Sequence, residues 1–163
     1  MLTSEHKHKI EAGIKSIAES LIQICNEMKC TISIDAHYYN GSDDAMSLIF
    51  FHNQNKECDF STSPGIDRLF EKLHLAEGLT PERESEIKSV LKTHTENLDK
   101  IAIELRTSTS IQASYNPEYN SAFSFVGVLR DTWPIHIHGI DKIDNMLQFF
   151  ESTAKIEVED EDD

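Results

Sequence analysis

The chain repeats itself, without a gap, at an interval of 77 residues. Residues 2–75 align with residues 79–152, and 17 of the 74 aligned positions are identical, where ordinary composition would give roughly 5. The clearest part of the match is the stretch Ile34–Tyr38, which recurs as Ile111–Tyr115. A repeat of this length predicts two copies of one supersecondary unit, each only marginally stable alone. We call the residue 77 positions away in the other copy the counterpart.

Each copy predicts a long helix, three strands and a short helix. In the first copy, apolar residues recur every three or four positions between Ile10 and Met28, which is the pattern of a helix with one core-facing side. Thr3 or Ser4 is the expected cap of that helix, and Thr80 before Pro81 is a typical helix start in the second copy. The predicted strands span 31–39, 45–52, 57–61, 107–115, 122–129 and 133–138, and the predicted short helices span 66–75 and the segment after Asp141.

The fold that this pattern predicts is α+β, with two tandem αβββα repeats. The repeats are expected to pack about a pseudo-twofold axis, as antiparallel meanders covered by helices. The expected units are residues 1–77 and residues 78–155, followed at 156–163 by an acidic tail with too little apolar surface to fold. Met46 and Ile49 lie on opposite sides of one predicted strand, so both faces of the sheet are expected to be at least partly buried.

The net charge of −14 restricts the class of partner. Six of these charges lie in the last seven residues, which leaves about −8 on the rest of the chain. Such a surface repels nucleic acids and anionic membranes, and it attracts a basic protein partner. The alternative is that the charge serves solubility alone.

The lack of a long apolar run and the number and setting of the cysteines predict a cytoplasmic protein. No apolar run approaches the roughly 20 residues that span a bilayer, and the first residues lead into an amphipathic pattern that is unlike a secretory signal. The cysteines, Cys25, Cys30 and Cys58, are odd in number and lie in apolar or strand-like contexts. They fit reduced, packed thiols better than a disulfide framework.

The chain contains no motif that predicts an enzyme or a cofactor. It has no glycine-rich phosphate loop and no nucleophile or metalloprotease motif. Asp35 and His37 share one strand face and could form an acid–base pair, but their counterparts Gln112 and Ser114 suggest ordinary polar positions. We therefore expect a non-enzymatic protein without a cofactor.

His136 and His138 have the best metal-like spacing in the chain. Residues two apart on a strand face the same way, so both imidazoles could reach one ion, although further ligands would be needed. The alternative is that Ile135 and Ile137 fill the core and the histidines face solvent. The sequence leaves metal binding at this pair open.

Aromatic and acidic residues near the hairpin ends are the candidates for partner binding. Tyrosine and tryptophan are good interface anchors, and neighbouring carboxylates would attract a basic partner. Several of these residues also fall where the two copies differ most. The predicted partner-binding residues are Tyr39, Asp43, Asp44, Glu57, Asp59, Tyr119 and Trp133.

Three segments of the chain resemble the immunity proteins of the YezG-like type: Ile17–Ser20, Ser47–His52 and the turn region at Tyr115–Asn116. Those are small cytoplasmic proteins encoded with secreted toxins, many of them nucleases. The resemblance implies an antitoxin that neutralises a basic toxin by direct binding.

A second resemblance, in topology and charge only, is to the small acidic chaperones of type III secretion. Those proteins put helices on a curved antiparallel sheet and work as dimers. The alternative expectation is therefore a secretion chaperone that forms a homodimer and binds an effector.

Overall fold

The computed structural model describes residues 3–39, 41–42, 44–53, 56–60, 80–130 and 133–138, together with Ile143 and Leu147. Side chains are described for these residues except those in 51–60 and 129–138. The described elements are helix α1 (Ser4–Met28), strands β1 (Thr31–Tyr39), β2 (Asp44–Asn53) and β3 (Lys56–Phe60), helix α2 (Pro81–Leu105), and strands β4 (Ser108–Asn116), β5 (Ser121–Arg130) and β6 (Trp133–His138). The predicted α+β class is confirmed.

The six strands form one antiparallel sheet in the order β3-β2-β1-β4-β5-β6. The two meanders are joined in the middle of the sheet, where β1 pairs with β4. At the centre of that junction Ile34 pairs with its own counterpart, Ile111.

The shift of 77 residues seen in the sequence recurs in the backbone. Helices α1 and α2 each have 25 residues, and both bounds differ by the same shift. The strand registers follow it too: Ile34 pairs with Ile49, and Ile111 pairs with Val126. The predicted short helices and the acidic tail lie outside the described residues, apart from Ile143 and Leu147, which are both buried.

Both long helices begin and end in the same way. The side chain of Thr3 accepts a hydrogen bond from the backbone N–H of His6 at 3.1 Å, and Thr80 accepts one from the N–H of Arg83 at the same distance. These caps satisfy N–H groups that a helix start leaves without a partner. Lys29 and Arg106 end the helices in the left-handed conformation, each with φ 53°.

Each helix packs mainly on the strands of the other half of the chain. Helix α1 lies against β4 and β5, and α2 lies against β1 and β2. The thiol of Cys25 in α1 is 3.4 Å from the carbonyl oxygen of Ala113 in β4. The hydroxyl of Ser47 in β2 is 3.3 Å from the carbonyl oxygen of Thr95 in α2. Because of this crosswise packing, each half supplies one side of the other half's core.

The core lies between the two helices and one face of the sheet. Alternate strand positions point to this side, and the apolar stripes predicted for both helices are buried against them. The largest side chains that are fully buried are Ile14, Leu21, Ile32, Ile34, Ile49, Ile87, Leu91, Leu98 and Ile111.

Two side-chain contacts link the antiparallel helices, an ion pair at one end and a histidine–carboxylate contact at the other. Arg83 donates from Nε and Nη2 to the carboxylate of Glu27 at 2.7–3.0 Å. This contact lowers the pKa of Glu27. At the other end, Nε2 of His6 lies 3.1 Å from Oε2 of Glu104. His6 and Glu104 are the counterparts of Arg83 and Glu27, so the same two positions form both pairs.

Within the part of the chain that the structure describes, neither helix is long and apolar enough to cross a membrane.

Candidate interaction surface

The sheet has a second face, turned away from α1 and α2, which we call the open face. Its positions alternate with the buried ones along β1, β2, β4 and β5, and none whose side chain is described is buried. Two of its apolar side chains are about half exposed, Met46 at 49% and Phe123 at 48%. The described open-face positions are Thr31, Ser33, Asp35, His37, Tyr39, Asp44, Met46, Leu48, Phe50, Ser108, Ser110, Gln112, Ser114, Asn116, Ser121, Phe123, Phe125 and Gly127.

Both faces of the sheet were expected to be at least partly buried. The helix side is buried, whereas the open face is covered only at some positions. Leu48 and Phe50 are half-buried on the open face, whereas Met46 in the same strand is exposed. Ile49, on the helix side of that strand, is buried. Apolar residues on both sides of a strand indicate two surfaces that exclude water, but they do not say whether this chain covers the second one.

Polar and apolar residues are arranged in rows on the open face. The central strands β1 and β4 carry hydroxyl, amide and carboxylate groups, and the hydroxyls of Thr31 and Ser114 lie 2.7 Å apart across the junction. The flanking strands carry apolar groups, such as Met46 on β2 and Phe123 on β5. Hydrogen-bonding groups and apolar groups therefore lie side by side on this face.

Asp35 lies in the middle of this face. It is half-buried and stands between Leu48 on β2 and Ser110 on β4. The hydroxyl of Ser33 donates to its Oδ1 at 3.0 Å. Burial raises the pKa of Asp35, while the bond from Ser33 and the nearby His37 act in the opposite direction. Among the described residues, no lysine or arginine forms an ion pair with this carboxylate.

The acidic residues at the described open-face positions all belong to the first half of the chain. Asp35 and Asp44 have the neutral counterparts Gln112 and Ser121. The described open-face positions include no lysine or arginine. The two halves of the face therefore share a strand register but differ in charge.

On β3, Glu57 and Asp59 stand opposite His52 and Phe50 in the register. Their counterparts are Pro134 and His136. The first half thus carries acids on three neighbouring strands, at positions where the second half has none.

The structure separates the predicted partner-binding residues into groups. Tyr39 and Asp44 pair with each other at the end of the first hairpin, and Asp43 lies outside the described residues. The antiparallel junction of β1 and β4 puts Tyr119 at the opposite end of the sheet. Trp133 is on edge strand β6, about 24 Å from β3 by five strand spacings.

Tyr119 is the most exposed of these aromatic residues, at 67%. It lies in the turn between β4 and β5 and contacts Phe123 edge to face, with ring centroids 6.0 Å apart. The turn is held by Tyr115, whose hydroxyl is 2.5 Å from Oδ1 of Asn120. Tyr119 therefore extends the apolar row of β5 at one end of the open face.

Sequence reasoning treated Asp35 as an ordinary polar residue and did not select Met46 or Phe123. The signal for Asp35 was its mismatch with Gln112, since the flanking residues Ile34 and Ala36 are conserved between the copies as Ile111 and Ala113. The sequence signal for Met46 and Phe123 was that apolar residues occur on both sides of their strands.

The described side chains contain no group of three His, Cys, Asp or Glu that could hold a metal ion. The side chains of His136 and His138 lie outside the described set. Their backbone pairs with Gly127 and Phe125, while Ile135 and Ile137 pair with the buried Val128 and Val126.

Comparisons of the chain with protein-family models, with curated proteins and with solved structures found no match.

Proposed function

We propose that this chain is a tandem duplication of one αβββα unit, residues 1–77 and 78–155, and that it works as a binding protein. The common shift of 77 residues in sequence, helix bounds and strand register supports the duplication. The proposal includes the short helix predicted at the end of each unit.

The partner that we propose is a basic protein, and the role is that of an immunity protein that blocks a toxin of the nuclease type. The observation that carries this proposal is the open face, where half-exposed apolar groups lie beside carboxylates and the described positions include no lysine or arginine. Apolar groups favour protein contact, while the charge selects a cationic surface and accelerates its approach.

Titration of the chain with the protein encoded by its neighbouring gene tests the proposal. We expect binding by calorimetry, with an association rate that falls as salt concentration rises. If the neighbour is toxic on expression, co-expression of this chain should restore growth.

A matched pair of variants locates the contact. Asp44→Ser removes one negative charge from the acidic half, and Ser121→Lys adds one positive charge at its counterpart, so both variants change the net charge by the same amount. Asp44→Ser should slow association at low salt more than Ser121→Lys does. Equal effects, or binding that is indifferent to salt, would remove the electrostatic basis of the proposal.

A secretion chaperone is the second candidate, favoured by the exposed apolar groups Met46 and Phe123 on a twofold-like face. It requires a stable homodimer that binds an unfolded effector segment. Light scattering after size exclusion separates the two: a dimer that takes up an unfolded effector supports the chaperone, and a one-to-one complex with a folded basic protein supports the immunity protein.

A further inference from the structure

We propose that Asp35 is the anchor of the open face and that its carboxylate receives an arginine or lysine side chain of the basic partner. This inference rests on the proposed function and adds the residue that recognises the partner and the chemical group recognised.

The position of Asp35 favours this role. It lies on a central strand, with half-buried Leu48 beside it and half-exposed Met46 beyond. A partner that covers these apolar groups also removes water from the carboxylate. Charge attraction is stronger where water is excluded, and a buried charge without a partner is unfavourable.

The carboxylate also has unused bonding capacity. Among the described residues Ser33 is its only hydrogen-bond donor, and it donates to one oxygen. An ionised carboxylate has about four acceptor sites. An arginine side chain offers paired donors that match both oxygens at once.

The asymmetry between the halves gives the partner one orientation. The counterpart Gln112 sits in a similar setting, next to half-buried Phe125 in the register, but it is neutral. A partner therefore binds more tightly with its cation at Asp35 than with its cation at Gln112, although the strand pairing around the two residues is alike.

The charge also decides against a second copy of this chain as the occupant. Two copies packed by their open faces would cover the carboxylates of both copies, and the described open-face positions offer no lysine or arginine to pair with them. The net charge of −14 opposes that approach. A cationic protein relieves the same repulsion.

A short peptide with one arginine between leucines, and the same peptide with citrulline in place of arginine, serve as probes. Citrulline keeps the shape of arginine without its charge. Nuclear magnetic resonance of the intact chain would follow backbone amides and the Asp35 carboxyl carbon during titration. We expect both peptides to shift open-face signals, with the arginine peptide binding about tenfold more tightly, as one charge-assisted hydrogen bond would provide.

Asp35→Asn keeps the size of the side chain and should abolish that tenfold preference. Glu96→Gln is the matched control, because it removes the same charge from an exposed position on α2 and should leave the preference unchanged. Unfolding of Asp35→Asn in urea confirms that the variant is folded.

The outcomes separate the two proposals. If open-face signals shift but Asp35→Asn keeps the arginine preference, the anchor is wrong and the binding surface stands. If neither peptide at millimolar concentration shifts open-face signals, the anchor is wrong, and the titration with the neighbouring gene product decides the proposed function separately. If open-face signals depend on protein concentration without peptide, a second copy occupies the face and the anchor is wrong.

Discussion

Ser47 and Ser124 are counterparts in opposite situations. The hydroxyl of Ser47 lies 2.5 Å from Oδ1 of Asp99. The hydroxyl of Ser124 is buried and, among the described residues, has no hydrogen-bond partner. The difference follows from the sequence, because the counterpart of Asp99 is Ile22, which cannot accept a hydrogen bond.

Substitution of the two serines by alanine should have opposite effects. Ser124→Ala removes an unsatisfied hydroxyl and should raise the free energy of unfolding by about 1 kcal/mol. Ser47→Ala removes a bond to a half-buried carboxylate and should lower it by about 1 kcal/mol. Urea unfolding of both variants measures this, and changes of the same sign would contradict it.

His94 is a half-buried histidine beside the buried stripe of α2. Both ring nitrogens are buried without a hydrogen-bond partner among the described residues, and burial lowers the pKa of His94. Its counterpart is Ile17, a core residue. The folded protein therefore favours the neutral imidazole.

This histidine should make the protein less stable in mild acid. The unfolded chain takes up a proton near the ordinary value of about 6.5, whereas the folded chain does so only at lower pH. Above that value His94 is neutral in both states. As pH falls below it, the unfolded chain binds a proton that the folded chain does not, so the free energy of unfolding decreases until the pH reaches the lowered pKa. His94→Ile should lose less stability than the original chain between pH 7.5 and 5.5, by urea unfolding at both; equal losses would show that another group is responsible.

At the scale of single elements, the helix ends carry strain that a glycine would relieve. Lys29 and Arg106 both have positive φ, a conformation that costs a residue with a Cβ about 1 kcal/mol. Lys29→Gly and Arg106→Gly should each raise the free energy of unfolding by up to about 1 kcal/mol. Lys9→Gly, on the exposed side of α1, is the control and should lower it by about 1 kcal/mol; thermal unfolding distinguishes the signs.

The elements were predictable because their signals are local. Thr80 was the predicted cap of α2, and Thr3 was one of two predicted caps of α1. The bounds of β1 and β6 agree with the prediction residue by residue. The exposure of the open face was not predictable. Met46 and Ile49 belong to the same apolar run, and periodicity says that they face opposite ways without saying which side the helices cover.

The candidate surface was predictable only in part, for the same reason. The acidic first hairpin and its tyrosine were selected from composition, but whether distant residues meet depends on strand order. Tyr39 and Tyr119 look alike in sequence, each beside a turn, and the junction of β1 with β4 sends them to opposite ends of the sheet.

At the scale of the whole molecule, the crosswise packing makes the halves depend on each other. Helix α1 covers strands of the second half, and α2 covers strands of the first. Neither half encloses its own core, so the protein should unfold in one cooperative transition.

Separate expression of residues 1–77 and 78–163 tests this dependence. Each fragment alone should be unfolded or self-associated, because its strands lack their helix. An equimolar mixture should recover the circular dichroism of the intact chain. Fragments that each fold as monomers would contradict the crosswise arrangement.

The pairing of Ile34 with Ile111 has an evolutionary consequence. These two residues share one buried space at the junction, and they arise from the same position of the proposed ancestral unit. A gain in volume on one side has to be met by a loss on the other, because packed cores tolerate volume-conserving exchanges best. Among relatives of this chain we therefore expect positions 34 and 111 to co-vary, with their summed size kept more constant than either residue.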